Sequence, residues 1–214
     1  TFELMERLAH EAPAEAGDAA AAEGYFSARV ELAIDRSAKP ATVTLTVVPG
    51  EPTRIAGVRI DVTGPAATDT AEGTAAIVAM RKRWGLPEGE VFRQQAWAAA
   101  KDGTLAILRA SPYAAATIAK SEALIDPDAR TALLSLEVAS GPPFRFGRLD
   151  ITGLERYEPA LVHNFSTIRP GELHDQQALD RLTRRLSATG YFSSVQASID
   201  PDAAHPDDAT IRLA

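Results

Sequence analysis

Four histidines and a cluster of aspartates are the side chains of this sequence best suited to chemistry. The histidines occur singly, at His10, His163, His174 and His205. A metal site needs several convergent ligands, so each is interpreted as a surface or helix-capping residue. The sequence contains no G-x-S-x-G, P-loop, G-x-G-x-x-G or H-E-x-x-H motif. It therefore predicts no catalytic, cofactor-binding or metal-binding residues, and a protein that is not an enzyme.

The aspartates resemble a calcium-binding loop in their spacing, at Asp200, Asp202, Asp207 and Asp208. A loop of the EF-hand type needs a ligand at every second residue, a central glycine and a closing glutamate. Prolines interrupt that pattern here, and the closing glutamate is missing. Because Asp and Pro favour turns, the stretch is predicted to be a solvated hairpin turn.

Charge and composition narrow the class of partner. Lys and Arg number 22 against 29 Asp and Glu, which gives a net charge of −7. An acidic balance disfavours a nucleic-acid surface, which needs a basic face. The absence of cysteine excludes thiolate catalysis, disulfides and Cys-based zinc sites, and leaves the compartment open. No apolar run approaches the roughly 20 residues that span a bilayer as a helix, and the first residues do not read as a signal peptide.

Two tryptophans, Trp84 and Trp97, would suit a stacking platform for sugars or bases. Both lie on apolar stripes at helical spacing, which favours packing in a core.

A repeated order of elements is the strongest pattern in the chain. Alternating apolar residues predict strands, and apolar stripes such as Leu179, Leu182 and Leu186 predict helices. Three landmarks recur in the same order. The first is an aromatic residue after the second helix, at Tyr25-Phe26, Tyr113 and Tyr191-Phe192. The second is a hairpin turn, which begins at Ile34-Asp35, Ile125-Asp126 and Ile199-Asp200, and the third is a first strand, which ends at Thr63-Gly64 and Thr152-Gly153. A fixed repeat of this kind predicts small modules in tandem.

Each module is predicted to be a two-layer α+β unit with the order β-α-α-β-β, in which two helices cover the apolar face of a three-stranded sheet. Module 1 (residues 1–49) is incomplete, with no opening strand and two helices separated at Pro13. Module 2 covers residues 50–140 and module 3 covers residues 141–214, with its last strand truncated. Residues that interrupt the patterns are the predicted inter-module hinges, at Pro49, Gly50, Pro52, Gly141 and Pro142.

The core of module 3 follows from the same patterns. We expect the helical stripe of leucines at 179, 182 and 186 to pack against the inward residues of the strands, which are Leu149, Ile151, Val195, Ala197 and Ile199.

The repeat resembles the POTRA domains of the Omp85 family, most specifically in module 3. The residues that carry the resemblance are Arg145-Phe146-Gly147 and Arg184-Arg185-Leu186-Ser187-Ala188-Thr189-Gly190-Tyr191-Phe192, together with the order β-α-α-β-β. Within that family, the likeness is strongest to the translocation and assembly module branch. Module 2 matches well and module 1 only by pattern.

This resemblance implies a location in the periplasm, as the soluble part of an outer-membrane protein. It further implies a membrane β-barrel that follows module 3, a TamB-like partner anchored in the inner membrane, and unfolded outer-membrane proteins as clients. It implies no cofactor and no nucleic acid.

A scaffold for protein interactions is the function that these patterns favour, because an unpaired sheet edge can accept an added strand. The resemblance places the strand after the second helix at that edge, in residues 26–34, 115–124 and 193–199. The outward polar residues of these strands are the candidate interaction sites, Arg29, Glu31, Lys120, Glu122, Ser194 and Gln196. A basic helix face, Arg181, Arg184 and Arg185, is either solvated or a contact to a neighbouring module or barrel.

Two alternatives stay open at this point. One is the POTRA region of a BamA-type general outer-membrane insertase. The other is a non-catalytic carbohydrate-binding module.

Overall fold

The computed structural model describes residues 2–35, 37, 42–68, 70–154 and 156–214, with the backbone alone for residues 2–9. Its helices are α1 (Phe2–Ala22), α2 (Ala71–Lys82), α3 (Gln94–Ala110), α4 (Pro159–Phe165) and α5 (Gln176–Ala188). Its strands are β1 (Arg29–Asp35), β2 (Thr42–Val48), β3 (Arg54–Thr63), β4 (Thr117–Asp126), β5 (Thr131–Ala139), β6 (Phe146–Ile151), β7 (Ala197–Ile199) and β8 (Ala209–Leu213).

The α+β modules predicted from the repeat are present. The described strands form separate sheets with the orders β1-β2, β3-β5-β4 and β6-β8-β7. In modules 2 and 3 the last strand therefore lies in the centre, between the first strand and the strand that follows the helices. In module 3, β8 runs parallel to β6 and antiparallel to β7. β8 pairs with both neighbours, and the truncation of the last strand of module 3 stays a prediction.

Module 1 departs from the prediction of two helices. Residues 2–22 form one continuous helix, and Pro13 lies inside it. Proline in a helix interior removes one backbone donor and costs about 3 kcal/mol, which the flanking turns must offset. The surrounding sequence is rich in alanine, the residue with the highest helix propensity, so the helix continues through Pro13.

The sheet of module 1 consists of β1 and β2, which pair antiparallel from Arg29↔Val48 to Asp35↔Thr42. On β1, Val30, Leu32 and Ile34 are half-buried. On β2 every residue is exposed. Among the described residues of module 1, β1 and β2 are the only strands, and both follow α1.

Helix starts in modules 2 and 3 use side-chain caps. The Thr70 hydroxyl accepts a hydrogen bond from the Gly73 amide at 3.1 Å, at the start of α2. The Asp175 carboxylate accepts one from the Gln177 amide at 2.9 Å, at the start of α5. Each cap satisfies a donor that the first helical turn leaves unpaired.

The core of module 3 is the one predicted from the leucine stripe. Leu179, Leu182 and Leu186 are buried. They pack in clusters with Leu213 and Ile211 of β8, and the half-buried Leu149, Ile151, Val195, Ala197 and Ile199 pack against them.

Residue contacts divide the chain into two compact units. One contains Thr1–Arg59, Gly85–Lys101 and Ser121–Leu136, and the other contains Ile60–Trp84, Asp102–Lys120 and Glu137–Ala214. Module 2 contributes residues to both units. In the described part of the chain, no helix is long and apolar enough to cross a membrane.

Leu182→Ala should lower the free energy of unfolding by roughly 2–5 kcal/mol, because it opens a cavity in a packed core. The matched control is Val78→Ala on α2, since Val78 is exposed and surface truncations stay within about 0.5 kcal/mol. Urea denaturation followed by circular dichroism measures both. Equal midpoints for Leu182→Ala and the wild type would contradict the assigned core.

Candidate protein-interaction sites

The strand after the helices lies at a sheet edge in every described module, as β1, β4 and β7. Four of the predicted interaction residues are exposed on these strands, namely Arg29, Glu31, Lys120 and Glu122. The other two, Ser194 and Gln196, are exposed but precede β7, which begins only at Ala197. β7 is shorter than the predicted strand of residues 193–199, so these two residues belong to the segment that leads into it.

Backbone pairing in module 3 shows which groups face the open edge. The Gln196 amide donates to the Ala214 carbonyl at 2.8 Å, and the Ala214 amide donates back at 3.0 Å. The Asp200 amide donates to the Thr210 carbonyl at 3.2 Å. Because pairing alternates along an antiparallel ladder, the amides of Ala197 and Ile199 point away from β8. The sequence could not give this parity, which depends on the register of β7 against β8.

A groove runs beside this edge. A cavity of about 320 Å³ is lined by Asp180, Thr183 and Arg184 of α5 and by residues 195–197 next to β7. The predicted basic face divides at this point. Arg184 lines the groove, Arg181 pairs with the Asp175 carboxylate at 3.3 Å, and Arg185 is exposed. Charged and polar side chains thus border a sheet edge whose backbone groups are available for pairing.

Consecutive modules meet through backbone hydrogen bonds. In the first junction, the Thr53 amide donates to the Gly24 carbonyl at 2.8 Å, and the Phe92 amide donates to the Thr53 carbonyl at 2.9 Å. The rings of Phe26 and Phe92 pack with their centroids 5.8 Å apart. Thr53, the residue before β3, is therefore hydrogen-bonded to module 1 through its amide and to Phe92 of module 2 through its carbonyl.

The second junction repeats this arrangement with different residues. The Phe144 amide donates to the Pro112 carbonyl at 2.7 Å, and the His174 amide donates to the Phe144 carbonyl at 2.9 Å. Gly24 and Pro112 each precede the recurrent tyrosine of their module. Position for position, His174 occupies the place of Phe92.

His174 is buried, with 2% of its surface exposed, so the expected surface or capping role is wrong for this histidine. Its Nδ1 lies 2.8 Å from the Ser111 carbonyl oxygen. A carbonyl oxygen only accepts, so Nδ1 carries the proton in the neutral ring. Nε2 is buried without a partner. Burial lowers the pKa of His174, against the opposing effects of the Ser111 carbonyl and the Asp175 carboxylate.

An arginine and a glycine close each junction in the same way. The guanidinium of Arg54 donates through Nη1 to the Gly89 carbonyl, and that of Arg145 donates through Nη1 to the Gly171 carbonyl, both at 2.8 Å. These bonds attach the loop between the helices to the start of the first strand. They account for the arginine of the Arg145-Phe146-Gly147 motif.

Gly147 of the same motif is required for a steric reason. It lies at an irregularity in the pairing of β6 with β8, and a Cβ there would come within 2.1 Å of Asp208 Oδ1. Only glycine allows the backbone at residue 147 to lie this close to Asp208.

The predicted hinge residues lead into the junctions. Gly50 and Gly141 have positive φ angles of 72° and 67°, and a Cβ on Gly141 would lie 3.5 Å from Ala115. Pro52 and Pro142 are half-buried, whereas Pro49 is exposed. Hinge motion at these residues stays a prediction.

The aspartate-rich turn forms separate ion pairs. Asp200 pairs with Arg212 at 2.5 Å and Asp207 with Arg145 at 3.7 Å, while the Asp202 carboxylate lies 2.8 Å from His205 Nδ1, within hydrogen-bond distance. The hydrogen bond to His205 lowers the pKa of Asp202. Among the residues that the structure describes, no three His, Cys, Asp or Glu side chains are grouped to hold a metal ion.

The two tryptophans do not form an exposed platform, because Trp97 is buried and Trp84 half-buried.

Gly24→Ala should open the first junction. Its added Cβ would meet the Phe92 carbonyl oxygen at 2.3 Å, so the backbone must shift. Gly190→Ala is a matched control, because Gly190 precedes the tyrosine of module 3, also has a positive φ of 70° and faces open space. Hydrogen exchange should show that the Thr53 and Phe92 amides lose protection in Gly24→Ala and keep it in Gly190→Ala. Unchanged protection in both variants would refute the junction.

His174 should make stability depend on pH. Its pKa is lowered in the folded chain from the ordinary value of 6.5, so the unfolded chain takes up the proton first. The stabilisation is complete above that value and is lost as the pH falls below it, by at most about 1.4 kcal/mol per pH unit. Urea midpoints between about pH 7.5 and pH 5.5 measure this loss.

Two variants separate His174 from the other titrating groups. His174→Phe, which copies Phe92, should flatten the pH dependence, whereas His163→Gln, at an exposed site, should leave it as in the wild type. A His174→Phe profile that is as steep as the wild type would contradict the assignment.

Comparison with known proteins agrees with this geometry. Residues 144–213 match the sequence model of the POTRA family, described as "Surface antigen variable number repeat". A crystal structure of BamA POTRA domains 3–5 from Haemophilus influenzae has 22% identity and a TM-score of 0.59, covering 89% of this chain and 73% of that chain. BamA from Haemophilus ducreyi lacking POTRA domains 1–3 has 15% identity and a TM-score of 0.55, covering 75% of this chain and 28% of that one.

The family match covers module 3, while the structural similarities extend over most of the chain at identities that establish the fold alone. Residues 144–213 therefore match the POTRA family, and the chain has the fold of POTRA domains.

Proposed function

We propose that this chain is a periplasmic scaffold of an Omp85-type outer-membrane assembly protein, and that it holds extended segments of clients or partners by strand addition. The observation that carries the proposal is the open edge of β7, with the amides of Ala197 and Ile199 directed outward beside the α5 groove. An added strand gains backbone hydrogen bonds there and needs little side-chain specificity. That property suits a scaffold for many different clients.

The polar border of the groove supports this function. An empty strand edge invites aggregation, and charged side chains next to it are a common protection. Asp180 and Arg184 of α5 both line the groove, and the corresponding edge strands of the other modules carry exposed charged residues. These side chains keep the edge soluble between binding events.

Within this class, we favour the translocation and assembly module type, which pairs with a TamB-like protein anchored in the inner membrane. The likeness of residues 184–192 in module 3 supports that choice, and module 1 is then the dock for the partner. A BamA-type general insertase is the second candidate, and the similarity of fold to BamA POTRA domains favours it. In both types a membrane β-barrel follows module 3, and unfolded outer-membrane proteins are the clients.

The register in module 3 also indicates which residues to test in module 1. Asp35 and Asp200 begin equivalent hairpin turns, so Arg29 and Glu31 have the parity of Ser194 and Gln196. Their amides are then expected to pair with β2, and the free-edge donors are expected at Val30 and Leu32. Proline at Arg29 or Glu31 would disrupt the hairpin itself.

Ala197→Pro tests the proposal in module 3, because it removes one outward amide and keeps an apolar side chain. The matched control is Ser198→Ala, which changes the neighbouring side chain and retains every amide. The probe is a synthetic peptide of an outer-membrane β-strand, with alternating polar and apolar residues. We expect Ala197→Pro to weaken its binding by at least about tenfold and Ser198→Ala to bind like the wild type.

Amide hydrogen exchange locates the bound peptide. Binding should protect the amides of Ala197 and Ile199 in the wild-type chain, and circular dichroism should show that both variants remain folded. Two results together would rule out strand addition at β7. The peptide would bind Ala197→Pro as strongly as the wild type, and it would leave the amides of Ala197 and Ile199 in the wild-type chain unprotected.

A further inference from the structure

We propose that protonation of His174 opens the second junction, so that pH controls how firmly module 3 is attached to the end of α3 while the first junction stays closed. The contact consists of the His174 ring and the backbone of Ser111, Pro112 and Phe144. All four residues belong to one of the two compact units. The proposal concerns the attachment of one module to the next and is independent of strand addition at β7.

The His174 ring belongs to module 3 but is bonded to module 2. His174 lies in the loop between α4 and α5, and its Nδ1 is 2.8 Å from the carbonyl oxygen of Ser111, the residue after α3. Ser111 is fixed on the helix end, because its amide and its hydroxyl both donate to the Leu108 carbonyl, at 3.1 and 2.6 Å. The ring therefore connects the loop of module 3 to the last turn of α3.

Backbone bonds form a second connection beside the ring. The His174 amide donates to the Phe144 carbonyl at 2.9 Å, and the Phe144 amide donates to the Pro112 carbonyl at 2.7 Å. Ser111 and Pro112 are consecutive, so the ring and the backbone reach adjacent carbonyls of module 2. Displacing the ring from Ser111 also displaces the amide of the same residue, which opens the bond to Phe144.

The surroundings of the ring favour its neutral form. The Phe146 ring packs edge-on against it, with the centroids 5.5 Å apart. Among the residues that the structure describes, none is a hydrogen-bond partner of His174 Nε2. A second proton would place an unpaired N–H and a positive charge in this buried space, which is costly. Burial therefore lowers the pKa of His174, although the Ser111 carbonyl and the Asp175 carboxylate act in the opposite direction.

The acidic side chains near the ring are already engaged. Five charged residues lie within two positions of a residue that contacts the ring or the backbone of His174, and they are Arg109, Arg145, Arg148, Glu172 and Asp175. The Asp175 carboxylate accepts from the Gln177 amide and pairs with Arg181. The Glu172 carboxylate accepts from the Arg169 amide at 3.1 Å. Neither carboxylate bonds to the ring, so the added charge would lack a direct partner.

The arginines oppose protonation further, because a like charge disfavours the charged form of a histidine. Arg109 is at the end of α3, where its Nε donates to the Ala116 carbonyl at 2.9 Å. Arg145 lies between the two phenylalanines of the junction, and Arg148 is exposed on β6. Opening lets water solvate the imidazolium, and no such relief is available in the closed junction.

The first junction is an internal reference that lacks a titratable ring. The Thr53 amide donates to the Gly24 carbonyl, and the Phe92 amide donates to the Thr53 carbonyl. These backbone bonds match those of the second junction. Phe92 occupies the position of His174 and carries no ionisable group, so a change of pH acts on only one junction through this position.

Amide hydrogen exchange of the ¹⁵N-labelled chain tests the proposal between about pH 7.5 and pH 5.5. Below the ordinary histidine pKa of 6.5, the open junction binds a proton more readily than the closed one. The equilibrium constant for opening then rises by up to about tenfold for each pH unit. From pH 6.5 to about pH 5.5, the protection factor of the Phe144 amide should fall roughly three- to tenfold, and that of Thr53 should change by less than about twofold.

Variants identify the group that titrates. His174→Phe, which copies Phe92, should make the protection of the Phe144 amide independent of pH over this range. Should circular dichroism show that this variant is unfolded, His174→Gln makes the same comparison with a neutral polar side chain. His163→Gln, at an exposed site of the same module, should keep the wild-type dependence.

The amides of Leu182 and Leu186 distinguish opening of the junction from unfolding of module 3, since both residues lie in its core. At about pH 5.5 their protection factors should exceed that of Phe144 by at least about tenfold. Three results would overturn the proposal. They are protection of Phe144 that does not change with pH, an equal change in the His174 variant and the wild type, and equal protection of Phe144 and the two leucines at the lower pH.

Discussion

The structure depends on one backbone constraint, which is that the first strand of a module starts on a carbonyl oxygen of the module before it. Thr53 meets Gly24 in this way, and Phe144 meets Pro112. The loop between the helices of the same module then bonds back to Thr53 and to Phe144. These bonds fix where the first strand begins relative to the loop between the helices, and the strand order then leaves the strand after the helices at an edge.

Side chains adjust this constraint without replacing it. Phe92 and His174 occupy equivalent positions, and one packs on an aromatic ring while the other donates to a carbonyl. A neutral histidine in that place is well bound on one nitrogen and has a buried, unpartnered second nitrogen. The two junctions therefore share a geometry and differ in their response to protonation.

Much of the fold was predictable because it follows from periodicity. The leucine stripe of α5 and the alternation of the strands gave the core of module 3, since both patterns report which side chains turn away from water. The predicted helix break at Pro13 was wrong. The helix propensity of the alanine-rich segment around Pro13 outweighs the local effect of this one residue. The length of β7 also lay beyond the sequence pattern, because strand ends depend on which backbone groups find partners.

The candidate sites were harder to predict than the fold. The sequence shows which residues on an edge strand are polar, but it does not show which of their amides face the open edge. The structure shows that the Gln196 amide bonds to Ala214, so the outward amides are those of Ala197 and Ile199. His174 looked like one of several isolated histidines. The signal that could have found it was its alignment with Phe92, since a position that is apolar in one module is expected to be buried in the next.

A junction made of backbone atoms has a consequence for how such chains change over time. Every amino acid except proline carries the donor and every amino acid carries the acceptor, so the hydrogen bonds themselves require no particular side chain, although the close approach at Gly24 requires glycine. A duplicated or deleted module can therefore rejoin its neighbours without a matched set of compensating substitutions. The adjustment falls on a few positions such as that of Phe92 and His174.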